Sequence, residues 1–254
     1  MDILIEHTEG VMAIAFNRPD KKNAITAAMY QTMADALAAA QDDHQVRAVL
    51  IRGSVGIFSA GNDLEDFMKA PPKGEDAPVF QFLRRISGFG KPVVASVAGA
   101  AIGIGTTLLL HCDLVYAAET ATFSLPFAQL GLCPEAASSL LLPRIAGYQL
   151  AAEKLLLGEA FDAKEAQRMG IVNRVLSAAE VDAFALAQAA KLAALPASSL
   201  RVTKSLMKHA HEREIAVQMT DEAVHFGKML LAPEAREAFK AFFEKRKPDF
   251  KQFD

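Results

Sequence analysis

Cysteine is scarce: the chain carries only Cys112 and Cys133, too few for a disulfide framework and at no metal-ligand spacing. A reducing compartment is expected, and no metal site. An excess of basic residues is also missing, since 27 Lys and Arg stand against 30 Asp and Glu for a net charge of −3. That balance argues against nucleic acid as a partner. The segment from Met1 to Glu6 holds no basic stretch leading into an apolar run of signal length. A cytoplasmic protein is therefore expected rather than an exported one. Pro92 to Cys112 is free of Asp, Glu, Lys and Arg, and its 21 residues are enough to span a bilayer. Gly99, Gly103 and Gly105 interrupt it after a β-branched opening, so it reads as a buried strand, a glycine turn and a buried helix, and no membrane partner is expected. With 52% apolar and 22% charged residues the chain is globular in composition.

What is present is an alternation of strand and helix patterns. Apolar β-formers flank Glu9-Gly10 from Ile3 to Thr8 and from Val11 to Phe16, predicting a hairpin. A polar loop from Asn17 to Asn23 follows. Thr26 is a candidate N-cap, and Met29, Met33, Ala36, Leu37 and Ala40 recur at helical spacing, predicting a helix from Ala27 to about Gln41. Further strands are expected at Ala48 to Ile51, Val93 to Val97 and Leu114 to Ala118. Helices are expected after Pro78 and from about Ile104 to His111. This order argues for an α/β core with largely parallel pairing. From Ala178 onward the patterns are helical, with a break at Pro196 and two or three helices down to Phe243. The expected division is a core domain over 1–195 and a helical region over 196–254. A tail of that length is too short for a core of its own and must pack on its own domain or on another subunit.

Two glycine turns each follow a strand: Phe58-Ser59-Ala60-Gly61-Asn62-Asp63-Leu64, and Gly99 to Gly105. Backbone N–H groups in such turns, at helix starts, favour an anion or an oxyanion. Two turns together offer two donors to one oxygen. The plain structural reading of the first turn has Asn62 or Asp63 capping the next helix. The second is neither a dinucleotide fingerprint nor a P-loop, because the third glycine and a Lys-Ser/Thr pair are absent. His111, Cys112 and Asp113 read as packing and capping residues, and His209 and His211 lie on different faces of a helix.

Both turns, the run on to His111-Cys112-Asp113-Leu114, and the segment from Ala163-Lys164-Glu165-Ala166 to Gly170-Ile171-Val172-Asn173 resemble the crotonase superfamily of enoyl-CoA hydratases and isomerases. The resemblance runs from Asn17-Arg18-Pro19 to Glu244-Lys245-Arg246-Lys247. It implies an α/β fold, a spiral of strand-strand-helix units with a C-terminal helical trimerisation region, and a homotrimer or dimer of trimers. It also implies a thioester enolate stabilised by two backbone N–H groups, which by motif position fall on Ala60 and Ile104. The two glutamates that handle water in the family's hydratases are replaced here by Thr107 and Phe127. Neither exchanges protons near neutral pH. The block from Thr122 to Ser139 is similar instead to peroxisomal-type 3-enoyl-CoA to 2-enoyl-CoA isomerases, whose single base falls on Glu135. The plain reading of Glu135 is a first-turn helix residue favoured by the dipole. Burial by Leu125, Phe127, Leu130 and Leu132 is expected to raise its pKa, against the opposite pull of the helix terminus.

For an acyl-CoA substrate, the resemblance implies binding by Asp20, Lys21, Lys22, Gly61, Asn62, Asp63 and Phe127, with Phe242 and Lys245 from the helical tail. Phe80 and Phe82 are expected near an acyl channel. No further cofactor is implied. The reading is an enoyl-CoA isomerase. Its alternatives are an enoyl-CoA hydratase using Glu135, another enolate reaction, and a non-catalytic acyl-CoA or RNA binder of the same fold.

Overall fold

The computed structural model of the chain describes residues 1–253 except 55, 73 and 75. Strands β1 (Ile3–Thr8) and β2 (Val11–Phe16) form the predicted antiparallel hairpin. Glu9 and Gly10 turn it with φ of +47° and +82°. Helix α1 (Ala27–Asp42) starts where Thr26 Oγ1 accepts the Met29 N–H. It buries Met29, Tyr30, Met33 and Leu37, the stripe its spacing predicts.

The next three turns of chain each deliver one strand to each of two sheets. β3 (Ala48–Arg52) is followed by β4 (Ile57–Ser59), β5 (Val93–Val97) by β6 (Ala100–Ile102), and β7 (Leu114–Ala118) by β8 (Thr122–Ser124). The large sheet runs β1-β2-β3-β5-β7-β10, with β10 at Arg174–Leu176, and is parallel from β2 onward. The small sheet runs β4-β6-β8-β9, closed by the two-residue β9 (Phe161–Asp162). This is the expected spiral of strand-strand-helix units.

Helices α2 (Leu64–Lys69) and α3 (Pro78–Ser87) sit between the first and second turns. The second glycine turn differs from its prediction: residues 100–102 extend into β6, and only Ile104–Thr107 is α-helical (α4) before a 3₁₀ turn to His111. Alanine and glycine give so short a strand no apolar alternation to read.

Beyond the sheets lie α5 (Ser138–Ala146), α6 (Tyr148–Ala152) and α7 (Ala163–Arg168). α8 (Val181–Ala194) packs Val181, Ala185, Ala189 and Ala193 on the large sheet's outer face. The helical region after Pro196 is two helices, α9 (Ala197–Leu230) and α10 (Pro233–Phe243). It has no separate core, because Leu230, Ala235 and Phe239 join the main one. Lys204 of α9 is buried, bonding the Lys91 carbonyl and the Asp113 carboxylate at 2.7 Å each. Asp113 Oδ2 also accepts the Val93 N–H at 2.7 Å, so the expected capping role of this residue extends to anchoring α9.

Candidate active site

The polar loop after β2 is held against the first glycine turn by its own side chains. Asn23 Nδ2 donates to the carbonyls of Ile57 and Phe58 at 3.1 and 3.2 Å, and Asn23 Oδ1 accepts the Arg18 N–H. Arg18 Nη1 donates to Asp63 Oδ2 at 2.7 Å. Asp63 Oδ1 accepts the Asp66 N–H and caps α2, so the plain reading of this turn holds for that residue.

The capping leaves one donor of the turn over. The Ala60 N–H bonds the Lys22 carbonyl at 3.0 Å, Gly61 N–H bonds Ser59 Oγ at 3.1 Å, and Asp63 N–H bonds the Ile25 carbonyl at 2.9 Å. Ala60 is therefore corrected as an oxyanion donor: its N–H is consumed in joining the loop to the turn. Within residues 60–63, the N–H without a partner is that of Asn62. Its side chain is fixed by Tyr30, whose hydroxyl donates to Asn62 Oδ1 at 2.5 Å.

The resemblance implies a second donor at Ile104. Ile104 is the first residue of α4, where a helix has no acceptor for its N–H. Its side chain is 1% exposed and packs in the core, and the residue lines the cleft described below. Glycine lets the two turns meet. Gly61 has φ +88°, and a Cβ there would lie 2.9 Å from the Ile102 carbonyl. At Gly105 a Cβ would lie 3.0 Å from the Ser59 carbonyl.

Glu135 precedes α5 by three residues, so it is not the first-turn residue of the plain reading. Its Oε1 accepts the Thr107 hydroxyl at 2.5 Å. Burial raises its carboxyl from 4.5 to about 8, the Thr107 bond opposing and the Glu222 charge adding. Desolvation thus outweighs whatever the helix start contributes. The apolar surround is also corrected. A small cavity touching Glu135 is lined by Phe67, Val79, Phe80, Leu83, Met219 and Phe226, from α2, α3 and α9, together with Asn62. Phe127, Leu130 and Leu132 line a different space, a cleft of about 600 Å³.

That cleft gathers Asp20, Lys21, Lys22, Ala60, Gly61, Asn62, Asp63, Ile104, Phe127 and Phe242, most of the residues predicted for binding. Lys245 is the exception. It closes α10 with φ +55° and is exposed outside the lining. Asn62, Phe67 and Phe226 belong to both the cleft and the Glu135 cavity, and Phe80, Leu83, Met219 and Phe226 continue into an apolar cavity of about 380 Å³ between α3 and α9. Phe80 lines it as expected. Phe82 is fully buried and packs on the Tyr30 ring at 5.6 Å, a core residue and not a channel wall.

Sequence reasoning missed Thr107 as the partner of Glu135, and the α9 side chains as its surround. The first was visible only as a hydroxyl one turn after a glycine; nothing local marks the second, which depends on α9 folding back across some eighty residues of chain.

The profile of the enoyl-CoA hydratase/isomerase family matches residues 6–253. The chain is 36% identical over 252 residues to enoyl-CoA delta isomerase 2 of Rattus norvegicus, covering 97% of this chain and 64% of that protein's length. It is 31% identical over 253 residues to 2,3-dehydroadipyl-CoA hydratase of Escherichia coli K12, covering 98% of each. The structure superposes on an enoyl-CoA hydratase/isomerase from Pseudoalteromonas atlantica T6c with a TM-score of 0.95 at 40% identity, over 98% of this chain and 100% of that one. With its two sheets, its spiral and its long helical end, the chain belongs to the crotonase, or enoyl-CoA hydratase/isomerase, family.

Proposed function

We propose that the protein is an enoyl-CoA isomerase that moves a double bond from C3 to C2 of an acyl-CoA, with Glu135 as its single base. One observation carries the reading: among the described residues the cavity next to Asn62 is lined by one carboxylate, Glu135, and the positions of the two glutamates that handle water in the family's hydratases hold Thr107 and Phe127. The rat isomerase among its relatives is consistent with this chemistry.

In the proposed reaction the thioester oxygen receives the N–H groups of Asn62 and Ile104. The Glu135 carboxylate removes a proton from C2, and the electron pair moves into the thioester carbonyl to form an enolate. Two fixed donors stabilise that oxyanion more than the neutral carbonyl that precedes it. The oxygen pair then re-forms the carbonyl, the C1–C2 π pair shifts to make the C2–C3 double bond, and the C3–C4 π bond breaks as its pair takes at C4 the proton that Glu135 delivers. A carboxyl whose pKa is about 8 suits both halves, being basic enough to take the proton and acidic enough to give it back near neutrality.

The Lys21 and Lys22 ammonium groups at the cleft mouth suit the phosphates of CoA. The apolar cavity between α3 and α9 suits the acyl chain beyond C4. The exposed apolar residues of the last two helices, Leu206, Met207 and Phe243 among them, suit contacts between copies of the chain.

The test compares wild type with Glu135→Gln on 3-hexenoyl-CoA. Conversion to the conjugated thioester by wild type, lost by about 10³-fold or more in the variant with CoA binding retained, is the expected result. Hydration of crotonyl-CoA with 3-hexenoyl-CoA left untouched would replace the isomerase reading by the hydratase one.

A further inference from the structure

A second buried carboxylate stands behind the first. Glu222 of α9 is 5% exposed and takes no part in the chemistry proposed above. Its Oε2 accepts the Ala137 N–H at 2.6 Å, and its Oε1 accepts the Ser139 N–H at 3.0 Å and the Ser139 hydroxyl. Gln218, one turn earlier on α9, donates to the same Ser139 oxygen at 2.9 Å. Among the described residues no cation pairs with Glu222, so its three donors are the backbone and hydroxyl of one loop.

That loop carries Glu135. Ala136 and Ala137 follow it with φ of +59° and +56°, a consecutive left-handed pair that alanine adopts only when its surroundings impose it. From the other side His111 Nε2 meets the Ala136 carbonyl at 2.8 Å. Burial takes that imidazole down to about 4, so near neutral pH the ring is uncharged and donates through Nε2. Ser138 holds the Glu135 carbonyl itself, through its N–H at 3.0 Å and its hydroxyl at 2.6 Å.

We propose that Glu222 is the positioning residue of this site: from α9 it holds the left-handed step that aims Glu135, and it keeps a negative charge behind the Glu135 carboxyl. The role rests on the reading of Glu135 as the base. Burial raises the Glu222 carboxyl above its ordinary value, and the Ser139 hydroxyl and the N–H groups of Ser139 and Ala137 oppose that rise by bonding the ionised form. Its charge then opposes ionisation of Glu135 and adds to the effect of burial. The other titratable groups facing Glu135 are neutral in this range: the Tyr30 phenol on α1, raised by burial and then by the Glu135 charge, and the Cys133 thiol, pushed up to about 11 by burial and then by the two carboxylates. Glu222 is therefore the neighbour whose charge can be removed to change Glu135.

The test is the titration of carboxyl-¹³C-glutamate-labelled protein, with the Glu135 resonance assigned by its loss in Glu135→Gln. In Glu222→Gln the Glu135 midpoint is expected to fall by about one pH unit, a tenfold loss of proton affinity. The acid limb of kcat/KM is expected to move down with it, while kcat drops because the loop is loosened. Loss of a merely structural contact would lower kcat and leave the midpoint in place, and an unchanged midpoint in a folded variant overturns the proposal. Wild type alone provides a second measurement. The Glu222 resonance should respond as Glu135 titrates near pH 8, and no response overturns the proposal even if the variant fails to fold. A shifted midpoint in a protein that leaves 3-enoyl-CoA unchanged supports the positioning role and overturns the isomerase reading instead, so the two fail separately.

Discussion

In the proposed reaction two N–H donors and a hydroxyl act at the scale of single residues. The Thr107 hydroxyl bonds Glu135 Oε1 and so favours the ionised carboxyl, partly offsetting burial. Thr107→Val removes that bond. With the ionised form less favoured, the Glu135 pKa rises, and the acid limb of kcat/KM moves to higher pH by about one unit. This is the opposite direction to Glu222→Gln, so the pH profiles of the two variants check the account by sign. At this scale the sequence was legible in part. Glu135 and Ile104 were reached through the resemblance, because the motifs that carry it are contiguous in the chain. Ala60 was misassigned because its N–H is consumed by the carbonyl of Lys22, a partner nearly forty residues away that spacing within the turn cannot reveal. The proposed reaction gives the donor role to Asn62, whose N–H is left over once the bonds of Ala60, Gly61 and Asp63 are counted.

The elements work by bringing two turns from different sheet strands into contact. β4 and β6 pair in parallel, and beyond them Gly61 approaches the end of β6 at Ile102 while Gly105 approaches the end of β4 at Ser59. A methyl at Gly61 would meet the Ile102 carbonyl at 2.9 Å in a backbone region that L side chains rarely adopt. Gly61→Ala is therefore expected to push the turns apart and lower kcat by about 10²-fold, with a smaller effect on Tm. Steady-state kinetics beside a thermal melt tests this, and equal activity would show that the turns need not touch. The long strands and α1 were readable from apolar periodicity. β4, β6 and β8 have three residues each, too few for any period, and only their place after a longer strand identifies them. The unbroken 34 residues of α9 also exceeded the reading, since its burial is confined to a few positions such as Lys204, Glu222 and Leu230.

Across the whole molecule, α9 and α10 face two ways. Toward the core they supply Met219, Phe226, Leu230 and Phe239 to the walls of the candidate site. Away from it they leave Val202, Leu206, Met207 and Val217 more than half exposed. Such surface suits burial against further copies of the chain. Light scattering on purified protein is expected to give a multiple of the 27.3 kDa chain mass, and Leu206→Glu with Met207→Glu is expected to reduce it. A monomer in both cases would refute that use of the helices. The packing of α9 over the core also explains why the surround of Glu135 was not readable: its residues come from α2 and α3 on one side and from the distant α9 on the other, and no short window of the chain contains them together.

The central claim is that one carboxylate carries a proton between two carbons, without a second group to place water. Product analysis of 3-hexenoyl-CoA turned over in D₂O tests it most directly. The expected product is the conjugated 2-enoyl thioester, with part of the C2 hydrogen recovered at C4 and no product from Glu135→Gln. A 3-hydroxyacyl-CoA product, or undiminished conversion by the variant, would contradict it.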